Sequence, residues 1–426
     1  MPNLTKLGLM ATAAGFLAAS PALALDLEFY FPVAVGGAAA DTIEALTSEY
    51  AAAHPELNIS AIYAGSYNDA SAKAITAAHG GNPPQISVLL STDTYTLIDE
   101  DLIVPFDDYV TAEEAESWIG GFYPAFMLNG QSEGKTWGIP FQRSTPVMYW
   151  NKEAFAAAGL DPEHAPANWE ELVSISQTLT TRDDNGNVTQ WGLRIPSAGF
   201  PYWLFQGLAI PNGGILADAT GTHTSFDDPA VIEAAQFLYD LANVHGVMAP
   251  GAIEWGATPK AFFEGETAIM WTTTGNLVNV TNNAPFDFGV AMLPANVSRG
   301  APTGGGNFYL FKESSDAQKE AAVDFVQWIT APAQSARWTM ATGYVAPRAE
   351  TWELPAMQAY VQEVPGALVA RDQLEFAKAE LSTFQNSQIT KIFNDALASV
   401  LAGQTDATTA MTEAQAKADA ILADYR

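Results

Sequence analysis

From residue 25 onward, short apolar runs of strand length alternate with amphipathic stretches of helix length, and this alternation restricts the available folds more than any other feature. Leu25–Phe31 alternates and then becomes continuously apolar, as a buried strand does. The spacing from Asp41 to Glu44 predicts a helix opening on a capping box, with Ile43, Leu46 and Tyr50 on one face. Leu57–Tyr63 predicts the next strand, residues 68–79 the next helix and residues 85–90 a third strand. Strands separated by helices run parallel in a sheet covered on both faces, and ligands of such sheets lie beyond the carboxyl ends of the strands. That rule puts Gly65, Ser66 and Tyr67 beside a candidate cleft, with Ser91, Thr92 and Asp93 after the third strand.

The 426 residues exceed the usual single-domain length, which predicts two lobes. No linker, internal repeat or low-complexity segment divides the chain, so the lobes are expected to share strands across short crossings. With 11 Trp, 14 Tyr and 22 Phe the chain can build a packed interior and is not disordered. The 48 Asp and Glu against 18 Lys and Arg give a net charge of −30, which repels phosphate backbones and excludes nucleic acid as a partner. The absence of cysteine removes disulfides, thiolate metal sites and cysteine nucleophiles together.

Residues 1–24 read as an export signal. Lys6 precedes an apolar stretch from Leu7 to Ala19, Ser20 and Pro21 break it, and Ala22 and Ala24 supply the small residues of a cleavage point. The run is too short to stay in a bilayer as a spanning helix, and no later window reaches about 18 uninterrupted apolar residues. No cysteine follows the cleavage point to carry a lipid. The mature chain is expected to start near Leu25, in the periplasm.

Catalytic and metal signatures are absent from the pattern. His54, His79, His164, His223 and His245 are scattered, with no pair at helical spacing, so no metal and no cofactor is expected. There is no G-x-S-x-G nucleophile elbow, and neighbouring acids such as Glu113 and Glu114, or Glu170 and Glu171, read as solvated helix faces. Residues 182–187 resemble a calcium loop in composition only, because Gly186 falls too early after Asp183; a tight hairpin turn fits better. Residues 303–307 lack the Lys-Ser/Thr of a phosphate-binding loop and read as a flexible turn into a strand, whose bare amides at Gly305 and Gly306 can approach a ligand closely. Trp150, Trp169, Trp191, Trp203, Trp255 and Trp271 crowd the middle of the chain. Core packing accounts for each of them singly; as a group they equally suit a site where flat apolar faces meet a partly polar ligand.

Residues 138–155 carry Gly138, Pro140, Arg143, Ser144, Thr145, Pro146, Tyr149, Trp150, Asn151, Lys152 and Phe155 in one run, followed by Gly159, Asp161 and Pro162 and by Asn168, Trp169 and Leu172. This run resembles the crossover segment of the extracellular solute-binding proteins of ABC importers. Gly81 and Pro84 before the third strand, residues 261–270 around Gly265 and Ala268, and the closing helix at Gly403 agree with it in order, so the likeness covers essentially the whole mature chain. Within that family, residues 144–147 and 342–347 are most similar to the members that bind sn-glycerol 3-phosphate.

The resemblance implies an α/β fold: a bilobal clamp with residues 25–142 and 276–312 in an N-terminal lobe and residues 143–275 and 313–426 in a C-terminal lobe. The crossings would lie near 140–146, 268–276 and 312–316. It implies a monomeric receptor, not an enzyme, that holds one small polar solute and presents it to an ABC permease in the inner membrane. A polyol phosphate or glycerophosphodiester is the expected guest, with a sugar as the alternative. By the same likeness Tyr67, Ser144, Thr273, Gly305 and Tyr344 touch ligand, and Trp169 forms a nearby aromatic wall. Two positions depart from it: Ser91 stands where those members carry a carboxylate for the glycerol hydroxyls, and Thr390, with Lys391 beside it, where they carry a phosphate arginine. Neutral donors at Ser144, Thr273, Gly305 and Gly306 discriminate ligands sharply in a closed, dry cleft, and Tyr67, Trp169, Trp203 and Tyr344 can cover apolar faces. Arg143 has two readings, a substitute for the missing phosphate arginine or half of a lobe-to-lobe salt bridge. The rival class, a secreted sugar or phosphodiester hydrolase, requires a carboxylate pair or a metal cluster inside the cleft.

Overall fold

The computed structural model describes residues 24–426, so the export signal read from the sequence lies, but for its last residue, outside the described residues. The strands that build the two lobes are, in chain order, β1 (Leu25–Phe31), β2 (Leu57–Tyr63), β3 (Ile86–Leu90), β4 (Gly138–Ser144), β5 (Pro146–Asn151), β6 (Val188–Arg194), β7 (Thr267–Thr273), β8 (Phe288–Ala291) and β9 (Gly304–Phe311). One sheet has the order β2–β1–β3–β9, with Ile103–Val104 at its edge and β4 also paired to β9. The other has the order β8–β5–β7–β6, with Thr181–Arg182 at its edge.

In β1 the alternation turns Leu27, Phe29 and Phe31 into the first lobe's core and leaves Asp26 and Glu28 in solvent. Ile43, Leu46 and Tyr50 of α1 (Ala39–Ala53) close over that face, as their spacing predicts. The helix starts two residues before Asp41, on Ala38, with no side-chain cap, so the expected capping box does not form; Asp41 instead sits in the first turn, where the helix dipole favours it. The box occurs one helix later, where Ser66 and Asp69 cap α2 (Tyr67–His79). In the second lobe α3 (Pro201–Ala209) is buried on every side from Tyr202 onward, within a core that also takes Trp169, Trp271 and Phe393.

β1 pairs in parallel with β2 and β3, as the alternation of strands and helices requires. β9 nevertheless runs against β3 and β4, and β5 against β7 and β8. A chain returning from the other lobe enters the sheet from its far end, so the strands flanking each crossing run opposite to their neighbours. The first crossing is Thr145 alone, between β4 in one sheet and β5 in the other.

The other crossings differ from the expected boundaries. β8 pairs with β5, which keeps residues 276–291 with the second sheet, and the chain returns between Ala291 and Gly304 rather than at 268–276. Val323, Phe325 and Val326 of α4 (Asp316–Ile329) pack into the core of the first lobe, so the third passage lies not at 312–316 but near Tyr344, where the chain leaves that core for the cluster of Val345 and Ala346. The reason is physical: apolar periodicity reports that an element has a buried face, not which of two sheets covers it. The closing helical pattern splits into α5 (Asn386–Leu401) and α6 (Ala407–Leu422), with Gly403 at φ 66° in the break. Among the described residues no helix is long and apolar enough to cross a membrane.

Candidate functional site

Strand ends from both lobes converge on one cavity. Leu90 closes β3, Ser144 closes β4, Thr273 closes β7 and Gly305 opens β9, while Ala34 follows β1 and Tyr67 starts the helix after β2. Together with Phe200, Trp203, Trp255, Tyr344 and Glu380 they line a cavity between the lobes. This is the position that the rule for open α/β sheets assigns to a ligand.

Each wall is fixed by its own element. The capping box at Ser66 sets the start of α2, and the Tyr67 hydroxyl donates to Gln142 Oε1 at 2.8 Å. Gly306 leaves room for this ring, since a Cβ there would stand 3.0 Å from Tyr67 Cε1. Gly305 has φ 96°, and a Cβ on it would lie 1.9 Å from the Gln142 carbonyl oxygen, so no other residue fits where β9 turns its backbone into the cavity. Trp203 lies against Gly304 and donates through Nε1 to the Thr303 carbonyl at 2.7 Å. Trp255 meets Trp203 and Phe200 edge to face at 5.8 and 5.5 Å, and Tyr344 is stacked on Trp338 at 5.5 Å. The Thr273 hydroxyl accepts from the Gly275 N–H, which leaves its own proton free for a guest.

Of the residues singled out from the sequence, Tyr67, Ser144, Trp203, Thr273, Gly305 and Tyr344 line the cavity. The others do not. Trp169 is 7% exposed in the second lobe's core, stacked on Phe237 at 4.0 Å and 2° from parallel; it is packing, not an aromatic wall. Gly306 faces Val88 and Tyr67 behind the lining. Thr390 lies inside α5 away from the lining, and Lys391 is exposed and paired with Asp395 at 2.6 Å. Arg143 is fully buried, donates from Nη1 to Asn307 Oδ1 at 3.2 Å and lies over the Phe126 ring at 5.1 Å. It therefore satisfies neither reading: it is not in the lining, and it makes no ion pair within the described residues.

Ser91 also stands behind the lining, where it donates to the group that sequence reasoning missed. Glu380, 4% exposed, is the carboxylate of the cavity wall. Its Oε1 accepts from the Tyr202 hydroxyl at 2.8 Å and its Oε2 from Ser91 Oγ at 3.2 Å, while Asn129 clasps its backbone N–H at 2.8 Å and its carbonyl at 2.9 Å. A carboxylate thus returns to the site from another element, although Ser91 stands where the family's carboxylate would be. Among 48 acids nothing in the sequence marks this one, which lies between Ala379 and Leu381 outside any helix.

Burial pushes the Glu380 carboxyl up to about 7, against the opposing pull of Arg143 and the two hydroxyls that donate to it. Burial likewise lowers Arg143 to about 10, with Glu380 opposing. Asp93, half-buried overall but with Oδ2 sealed and unpartnered, is raised by burial to about 7. Among the described residues no cluster of His, Asp and Glu is arranged to hold a metal, and Glu380 faces the cavity with no second carboxylate in the lining.

Residues 45–365 match the family described as bacterial extracellular solute-binding protein. The chain is 27% identical over 433 residues to the sn-glycerol-3-phosphate-binding periplasmic protein UgpB of Pectobacterium atrosepticum, covering 96% of this chain and 94% of the relative. It is 28% identical to UgpB of Yersinia pseudotuberculosis over 78% of this chain and 76% of the relative. The fold superimposes on UgpB from Mycobacterium tuberculosis in complex with glycerophosphocholine with a TM-score of 0.79, at 22% identity over 94% of this chain and 98% of that one. The acarbose-binding GacH receptor of Streptomyces glaucescens gives 0.80 at 20% identity, over 95% and 100%.

Proposed function

Because the chain belongs to the bacterial extracellular solute-binding protein family, we propose that it is the periplasmic receptor of an ABC importer, a monomer that closes over one small polar solute and passes it unaltered to its permease. The observation that carries this reading is the cavity itself: an inter-lobe space with aromatic walls, hydroxyls at strand ends and a single carboxylate, in which no lining side chain is cationic. A hinge-closing clamp needs nothing more, because the difference in ligand affinity between closed and open forms drives closure.

A glycerophosphodiester fits better than a free polyol phosphate. A phosphomonoester dianion would enter a dry space facing Glu380 with no cation to offset its desolvation. The related UgpB structure with glycerophosphocholine supports this choice. Trp203 and Trp255 also favour a second reading, a sugar, whose apolar face stacks on such rings.

Thermal shift and calorimetry with glycerophosphocholine, sn-glycerol 3-phosphate and maltose test the proposal. Glycerophosphocholine at a hundred times its dissociation constant is expected to add about 2.7 kcal/mol of stability and to be recovered intact. Consumption of any of the three would replace the receptor with a hydrolase.

A further inference from the structure

We propose that Glu380 determines which solutes this cavity accepts: its carboxylate, set in the wall between the lobes beside a cage of aromatic rings, selects a guest bearing a positive charge and turns away one ending in a phosphomonoester. This rests on the receptor reading above and names the solute class for it.

The argument starts from how little holds the carboxylate. At 4% exposure it has two neutral donors, Tyr202 and Ser91, and no ion pair. Each oxygen keeps acceptor capacity unused. The one buried cation nearby, Arg143, directs Nη1 to Asn307 and leaves Nε and Nη2 without partners, so it acts on Glu380 only through space. An ionised carboxylate buried without a contact partner is costly, and a guest that supplies the missing charge recovers that cost. The same wall carries Phe200, Trp203, Trp255 and Tyr344, and aromatic rings attract an onium group. Acid and rings together favour a quaternary ammonium head over a neutral polyol, and both disfavour an anion.

The groups that act on Glu380 are Arg143 from β4, Asp93 after β3, Tyr202 from α3 and Tyr67 from α2. Asp93 changes charge over the same range as Glu380, so a pH profile of the wild type alone does not identify the responsible group, and a variant is required.

Calorimetry on the exported chain would compare glycerophosphocholine, glycerophosphoglycerol and sn-glycerol 3-phosphate, for wild type and Glu380→Gln, at pH 8 and pH 6. The first two probes share a phosphodiester and differ in the charge of the head. Wild type is expected to prefer the choline ester over the glycerol ester by about tenfold or more, and to bind it more weakly at pH 6, where the carboxylate is protonated. Glu380→Gln is expected to lose both the preference and the pH dependence, weakening for glycerophosphocholine and tightening for the anionic glycerophosphoglycerol until the two differ by less than about threefold. A variant that retains the preference overturns the proposal. So does a wild type that binds both phosphodiesters equally or prefers sn-glycerol 3-phosphate, and these measurements need no variant to fold; in either case the receptor reading survives. A wild type that binds none of the three probes, nor maltose, overturns both.

Discussion

Trp169 and Trp203 lie in the same lobe and are similarly buried, yet only one faces the cavity. The Trp169 ring, flat against Phe237 and among Leu172 and Ile175, contributes apolar burial and stacking to the core. Replacing it by alanine removes that contact and leaves a void, at a cost of about 3–5 kcal/mol. Trp169→Ala is therefore expected to lose that much stability in denaturant titration while the folded fraction binds solute within about twofold of wild type. If the variant keeps its stability and loses ligand, Trp169 touches the guest after all. At this scale the strand pattern reveals Tyr67, which follows β2, while Ser144 and Thr273 come from the family likeness and prove to sit at strand ends. It does not reveal Glu380, whose importance comes from Tyr202, Ser91 and Asn129 converging on it from remote segments. Nor does it separate Trp169 from Trp203, since composition is blind to which side of a helix faces a cleft.

Among the elements, β9 carries the largest conformational demand. Its residues 304–306 read as a turn and are in fact the start of a strand, paired to β4 from Gly304 opposite Ser144 to Tyr309 opposite Gly138. The positive φ of Gly305 places the position of an absent Cβ almost on the Gln142 carbonyl, so a side chain there pushes β4 and β9 apart where the first crossing begins. Gly186 has φ 84° as well, but its hairpin leaves open space around it. Gly186→Ala should cost about 1–2 kcal/mol, the backbone term alone. Gly305→Ala is expected to exceed that by several kcal/mol or to leave no soluble protein, as measured by urea unfolding of both variants side by side. Equal costs would mean that β4 shifts to accommodate the methyl group and that the strand pairing is softer than its geometry implies. The same strand shows where element-level reading stops. The lobe that takes β8 and α4 is settled by long-range packing that no local window contains.

At the scale of the molecule, polar contacts join the lobes at several points. Trp255 Nε1 donates to the Ala34 carbonyl at 3.2 Å, the Tyr95 hydroxyl to the Ala219 carbonyl at 2.6 Å, and Ser382 Oγ to the Thr92 carbonyl at 3.0 Å. Trp255 thus belongs both to a contact between the lobes and to the cavity wall. Trp255→Phe keeps an aromatic ring and removes the donor, so the closed form loses a bond that the open form never had. A net hydrogen bond contributes about 0.5–1.5 kcal/mol, which corresponds to a shift of about 2- to 12-fold toward the open state. The ligand-free variant should then show a larger radius of gyration by small-angle scattering than wild type, and saturating solute should return both to the same value, since the guest still bridges the lobes. Its dissociation constant should rise by at least the same factor, because the smaller phenyl ring also covers less of the guest than the indole did. A variant whose ligand-free dimensions match wild type while its affinity falls would place Trp255 in the wall and deny it a part in holding the lobes together.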